Sequence, residues 1–294
     1  MVSTITQYFI ISIVIVLICI FVSKIYGTTI FDFLESIYIL FFNRPFLPYF
    51  DPFPRRLPPD YLNILKANSF YFNNLPAGKQ KIFLKRLAKF IYDKDFNAKN
   101  ELLLTKEMLV IASESAVRLT FGLRKYKLEA FHQINFFKGE FYSDLAKSNV
   151  KGITNTNGSV SVSYKDLIYG IADNRDNINL GLHEFAHALM LDNSEDRDLY
   201  FDANRDLLDD YFANKNNLQI IKDRNLLRGY AFRNKLEFFS VAVEIFFETP
   251  DIMSESIPEL YRMLCKMLNQ DPLKFYPSES SGERRFERTE NSSV

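Results

Sequence analysis

The spacing of apolar and polar positions changes period several times along the chain. From Tyr8 to Val22 every residue is uncharged and nearly all are apolar, and with its uncharged flanks the run matches a helix crossing a hydrocarbon core of ~30 Å. A single membrane span is predicted from about Ile5 to Val22, within an N-terminal anchor of residues 1–28. A cleaved signal peptide is the competing reading, but the run has no basic residues before it and no small-x-small cleavage site. Residues Thr29 to Phe46 are again apolar, interrupted by Asp32 and Glu35. A helix lying in the membrane interface is expected there, with a helix packed on the globular domain as the alternative. Pro48, Pro52, Pro54, Pro58 and Pro59 then rule out a helix and predict a stiff connector, closing a segment of residues 29–59.

Beyond residue 60 the pattern becomes that of a globular domain extending to about residue 276. Helices are predicted near Tyr61 to Ala67, from Pro76 to about Lys94 with Ile82, Phe83, Leu87, Phe90 and Ile91 on the apolar face, and from a Thr105 cap to a stop at Gly122. Between about Glu129 and Tyr169 the period shortens to that of strands. Phe131 to Phe137 reads as one, and Val160, Val162 and Tyr164 alternate with polar residues after an Asn155-Thr156-Asn157-Gly158 turn. Helical patterns return around residue 183, from Asp196 to about Ala213 with an acidic side (Asp198, Asp202, Asp206, Asp209, Asp210), from Asn234 to Glu248, and from Ile257 to Leu268. The polar tail, residues 277–294, lacks apolar periodicity and is expected to be disordered.

Charge narrows the partners. The 36 basic residues balance the 36 acidic ones, so no bulk positive field argues for nucleic acid. The two cysteines, Cys19 and Cys265, lie in segments too different to pair, and nothing indicates an oxidising compartment. No Lys or Arg precedes the expected span, whereas Lys24, Arg44, Arg55, Arg56 and Lys66 follow it. The positive-inside rule therefore places the globular domain in the cytoplasm.

The chemistry concentrates in His183-Glu184-Phe185-Ala186-His187, which uses two of the 3 histidines in the chain. On a helix, His183 and His187 leave the same face one turn apart, where two imidazoles can hold a divalent ion. Glu184 beside them is suited to take a proton from an attacking water and pass it to a leaving amine. Asp176, Asn177 and Asn179 are candidate caps for this helix. The bland account is a core helix whose histidines are satisfied by ordinary hydrogen bonds. A third ligand is needed. Met190 and Asn193 exclude the HExxHxxGxxH continuation, and His132, in a predicted strand, suits a structural role better. The apolar helix Asn234–Glu248 carries Glu237, Glu244 and Glu248 on or near one face, and burying a carboxylate there requires a cation or donors. Spacing alone does not choose among the three.

Three blocks give the chain a resemblance to the Mlc titration factor A family of zinc-dependent peptidases, whose catalytic core is similar to that of anthrax lethal factor. They are the HExxH block, the run from Tyr230 to Pro250 containing Glu237-Phe238-Phe239, and Pro258-Glu259-Leu260-Tyr261 with Asp271-Pro272. The resemblance spans about Tyr61 to Pro272. It implies Zn2+ held by His183, His187 and Glu237, with Tyr230, seven residues before the ligand, steadying an oxyanion and Glu244 supporting the site from behind. The family usually continues with Asp where this chain has Met190, and Asp192 is the nearest substitute.

Pattern and resemblance together predict an α+β, zincin-like metallopeptidase domain, mostly helical with a small sheet, tethered by one N-terminal transmembrane helix and acting on a peptide or protein. A regulatory binding protein of the same fold, sequestering a partner such as a transcriptional repressor, is the main rival. A membrane-anchored structural protein with a fortuitous motif is the third.

Overall fold

The computed structural model describes residues 14, 30–51, 53–192, 194 and 197–276. Apart from Val14, the expected membrane span falls outside them, as does the polar tail. No helix among the described residues is long and apolar enough to cross a membrane.

The first described helix, α1, covers residues 30–42. The proline-rich segment after it lies against the domain: the Arg86 guanidinium donates to the Pro48 carbonyl, Lys89 pairs with Asp51, and the Tyr49 ring packs 5.5 Å from that of Phe121. Then come α2 (Pro59–Asn68), α3 (Phe70–Asn74) and α4 (Ala77–Asp93), the last starting directly after Pro76. Strand β1 (Asp95–Ala98) follows, and then α5 (Lys106–Thr120), whose Thr105 hydroxyl accepts from the Met108 amide as a cap residue should. Helix α5 is the centre of the domain, with almost every residue from Met108 to Thr120 buried.

The sheet is formed by β1, β2 (Gln133–Phe137), β5 (Gly152–Asn155) and β6 (Ser159–Ser163) in the order β1-β2-β6-β5. A separate hairpin joins β3 (Phe141–Ser143) to β4 (Ser148–Val150). Strands β1, β2 and β6 are parallel, and β5 runs antiparallel to β6 as an edge. Ile134 pairs with Val160 and Phe136 with Val162, so the alternation seen in the sequence places four apolar side chains in the core.

Two expectations need correction. Tyr164 does not continue the strand: Ser163 caps α6 (Tyr164–Ala172), its hydroxyl accepting from the Asp166 amide, so the strand pattern ends there and not near Tyr169. The acidic stretch forms two short helices, α8 (Leu199–Ala203) and α9 (Arg205–Ala213), separated at Asn204. Asp198 is not on a solvated face. It is buried and accepts from the backbone amides of Phe201, Arg124 and Lys125.

Between these lies α7 (Leu180–Leu191), packed against α5, β5, β6 and α11 (Lys235–Glu248). Its approach to α5 is close enough that a Cβ on Gly181 would stand 2.3 Å from Ser115 Oγ. Helix α10 (Lys215–Arg224) and a 3-10 turn, Gly229–Phe232, lead into α11. Helices α12 (Pro250–Ser256) and α13 (Pro258–Leu268) complete the domain. Phe238, Phe239, Phe246 and Phe247 of α11 are fully buried, which makes this helix the main apolar surface against which α7 is seated. The Phe246 ring lies 5.0 Å from that of Phe247 and 5.4 Å from that of Tyr261. Phe246→Ala should therefore lower unfolding free energy by about 3–5 kcal/mol in chemical denaturation; a loss under about 1 kcal/mol would contradict this packing.

Candidate metal centre

Helix α7 begins at Asn179, whose side-chain oxygen accepts from the Leu182 amide at 3.0 Å. This cap sets the phase that turns His183 and His187 to one side, their Nε2 atoms 3.1 Å apart. Asn177 instead accepts from the Thr249 hydroxyl at 2.6 Å, and Asp176 accepts from the Ile178 amide at 2.9 Å.

Helix α11 is capped by Asn234, which accepts from the Glu237 amide at 3.0 Å. Glu237 therefore sits in the first turn, where the helix dipole favours a carboxylate. Its side chain points across to α7, with Oε2 3.2 Å from His183 Nε2 and 3.5 Å from His187 Nε2. That oxygen is buried and has no aligned hydrogen-bond partner. His183, His187 and Glu237 each offer one atom to a common point, all within 4.8 Å of one another. Lone pairs converging on one point around an unsatisfied carboxylate oxygen are the arrangement a cation completes, so the group can hold a divalent metal ion.

The three carboxylates that spacing left equivalent have separate places. Glu244 stands behind His183, with Oε1 2.8 Å from His183 Nδ1 and Oε2 accepting from the Asn179 amide at 2.7 Å. That geometry suits an Nδ1–H donor and leaves Nε2 as the ligating atom. Arg228 also donates to Glu244. Glu248 lies beneath the cap, accepting from Asn179 Nδ2 at 2.9 Å, and burial pushes its carboxyl up to about 7 against the opposing pull of Arg118 and Asn179.

Glu184 is buried beside the ligands. Thr154 Oγ1 of β5 lies 2.8 Å from both its carbonyl oxygen and its Oε2. Burial raises its pKa, while His183 and His187 pull it back. Gly152 gives the carboxylate room, since a Cβ there would stand 2.5 Å from Glu184 Oε1. Tyr230 is about two-fifths exposed, and its hydroxyl donates to Glu237 Oε1 at 2.8 Å. Burial, then the neighbouring Glu237, push that hydroxyl up to about 12, so it stays a donor at neutral pH. Glu237 itself is held well below the usual carboxylate range: burial opposes this, but the facing His183 and His187 imidazoles and the hydroxyl of Tyr230 prevail.

His132 lies just before β2, exposed and outside this group. Asp192 accepts from the Ser194 amide at 3.0 Å after the end of α7, and Met190 is buried in the core. Thr154, Gly152 and Arg228 carry no signal in the sequence that would have marked them. Their place depends on the sheet edge and on the turn before α11.

A helix bearing two histidines and a glutamate, a carboxylate from a second helix, and a mixed sheet with an antiparallel edge beside the first helix together give the arrangement of a zincin-like metallopeptidase. The profile of the glucose-regulated metallo-peptidase M90 family matches residues 53–268, and the chain belongs to that family. It is 25% identical over 249 residues to an uncharacterized protein of Synechocystis sp., covering 75% of this chain and 87% of that protein. It is 24% identical over 212 residues to Mlc titration factor A of Pectobacterium atrosepticum, covering 63% of this chain and 77% of that protein.

If Glu244 fixes the His183 ring, Glu244→Gln should weaken metal affinity about 10–100-fold in competition with a chelator, leaving the fold intact. Unchanged affinity would remove Glu244 from the site.

Proposed function

We propose that the chain is a zinc-dependent peptidase, anchored by residues 5–22 with its globular domain in the cytoplasm. The observation that carries the catalytic part is the convergence of His183, His187 and the unsatisfied Glu237 Oε2 beside the buried Glu184. Two imidazoles and one carboxylate match the donor set of catalytic zinc. When bound, zinc supplies a Lewis acid that polarises the scissile carbonyl and makes water a better nucleophile.

The residues divide the remaining work. Glu184 takes a proton from the attacking water and returns it to the leaving amine, and its raised pKa suits a group that must do both. Tyr230, protonated at neutral pH, donates to the developing oxyanion. Glu244 and Asn179 hold His183 in its ligating tautomer. Strand β5 supports a peptide substrate in particular. It is a sheet edge beside α7, with no strand on its outer side among the described residues, so an extended chain can add to it while passing Glu184. The anchor rests on the uncharged run in the sequence and on the basic residues that follow it.

A second reading is favoured by one comparison. The relative from Pectobacterium is named a titration factor, and this chain could likewise act by sequestering a regulatory protein such as a transcriptional repressor. Glu184→Gln separates the two. The variant should retain metal while hydrolysis of a denatured protein falls by about 10²–10⁴-fold. If peptide hydrolysis is undetectable in the metal-loaded unmutated protein, or unchanged in the variant, the peptidase reading fails.

A further inference from the structure

Helix α1 has its amphipathicity turned inside out. Its charged residues face the protein: Glu35 is fully buried and accepts from Arg124 Nε at 2.8 Å, while Asp32 accepts from Arg124 Nη2 at 2.7 Å and from Lys125 at 3.2 Å. Ile39 is buried on the same side. Six of its apolar residues face outward. Ile30, Phe33, Leu34, Ile37, Leu40 and Phe41 recur at three- and four-residue spacing and form one exposed stripe, with Leu40 79% and Phe41 75% exposed. A helix in a water-facing position has the opposite arrangement, and a contiguous apolar stripe of this kind marks an interaction surface.

At the C-terminal end of α1 a cavity of about 410 Å³ opens, with Asn43 and Arg44 in its wall. Lys79, Arg262, Lys266 and Lys274 complete its basic lining, and Asp271 is the sole carboxylate among the lining residues. Asp271 pairs with Lys274 at 3.3 Å, whereas Arg44, Arg262 and Lys266 have no ion pair among the described residues. Five cations gathered around one acid call for an anion. The stripe runs to Phe41, just before the Asn43 and Arg44 of the cavity wall, and the uncharged run Tyr8–Val22 precedes both closely in the sequence.

We propose that the outward stripe of α1 lies in the headgroup region of a bilayer and that the basic cavity beside it takes the phosphate of an anionic phospholipid. The charges of α1 fasten it to the domain, so its seating would fix the orientation of the whole domain against the membrane. This deepens the membrane attachment proposed above, and the experiment reads the two separately.

The chain contains no tryptophan, so Phe41→Trp introduces a single reporter. The full chain carrying it is reconstituted into vesicles of phosphatidylcholine and phosphatidylglycerol, with bromine on one lipid or the other, and its flotation and tryptophan emission are measured. Tyr169→Trp, at an exposed position on α6, serves as the control. The expected result is flotation, blue-shifted and bromine-quenched emission from Trp at 41 but not at 169, and stronger quenching from brominated phosphatidylglycerol than from phosphatidylcholine. That preference should fall at least about five-fold for each of Arg262→Glu and Lys266→Glu, and inorganic phosphate in solution should leave it in place. Floating protein whose reporter at 41 is unquenched would overturn the proposal: water-like emission means that the stripe is uncovered, and blue-shifted emission that a second copy or another protein covers it. A preference that is absent, indifferent to the charge reversals or abolished by phosphate would overturn the lipid assignment of the cavity. Absence of flotation would remove the membrane attachment itself.

Discussion

The structure depends on one constraint: α11 carries carboxylates at Glu244 and Glu248 into an aromatic core, and Asn179, at the start of α7, donates to both. A buried carboxylate without partners costs several kcal/mol, so the helices are held to the register in which the Asn179 amide meets Glu244 and its side chain meets Glu248. Asn179 also caps α7. The residue that starts the histidine helix is thus the residue that locks it to the glutamate helix, and Glu237, two turns before Glu244, is delivered to the histidines as a consequence. The metal-binding geometry is thus tied to the same contacts that satisfy these buried carboxylates.

What could be read from the sequence follows the strength of local signals. Helices α4 and α5 announce themselves by period and by caps at Pro76 and Thr105, and the boundaries are nearly those expected. Strand β1 is four residues with two apolar side chains, Phe96 and Ala98. It exists because Phe96 pairs in register with Ile134, a long-range contact that no local pattern encodes. Helix α10, between two clearer segments, is too polar to show a core-facing stripe, and α12 is only seven residues long. Tyr164 extended an alternating pattern by chance, and the Ser163 cap outweighs it.

The candidate site divides in the same way. The HExxH spacing on a helix is local, so the proximity of His183 and His187 was legible. Physics alone left Glu237, Glu244 and Glu248 open because their spacing gives nearly the same helical face. What separates them is depth: Glu237 lies in the first exposed turn, while Glu244 and Glu248 are under the α7 cap. The close packing of Gly152 and Thr154 against Glu184 depends on β5 being the edge strand, and topology of that kind is absent from residue spacing. Helix α1 offers the converse lesson. Asp32 and Glu35 look like solvent-facing interruptions of an apolar run, yet they are the side that meets the protein.

The central claim is that His183, His187 and Glu237 form a zinc site. Elemental analysis of the purified chain beside its Glu237→Ala variant tests it most directly. The account predicts zinc at close to one equivalent in the unmutated chain and its loss in the variant. An unmutated chain that holds no zinc after reconstitution, or a variant that binds it as well, would contradict the account.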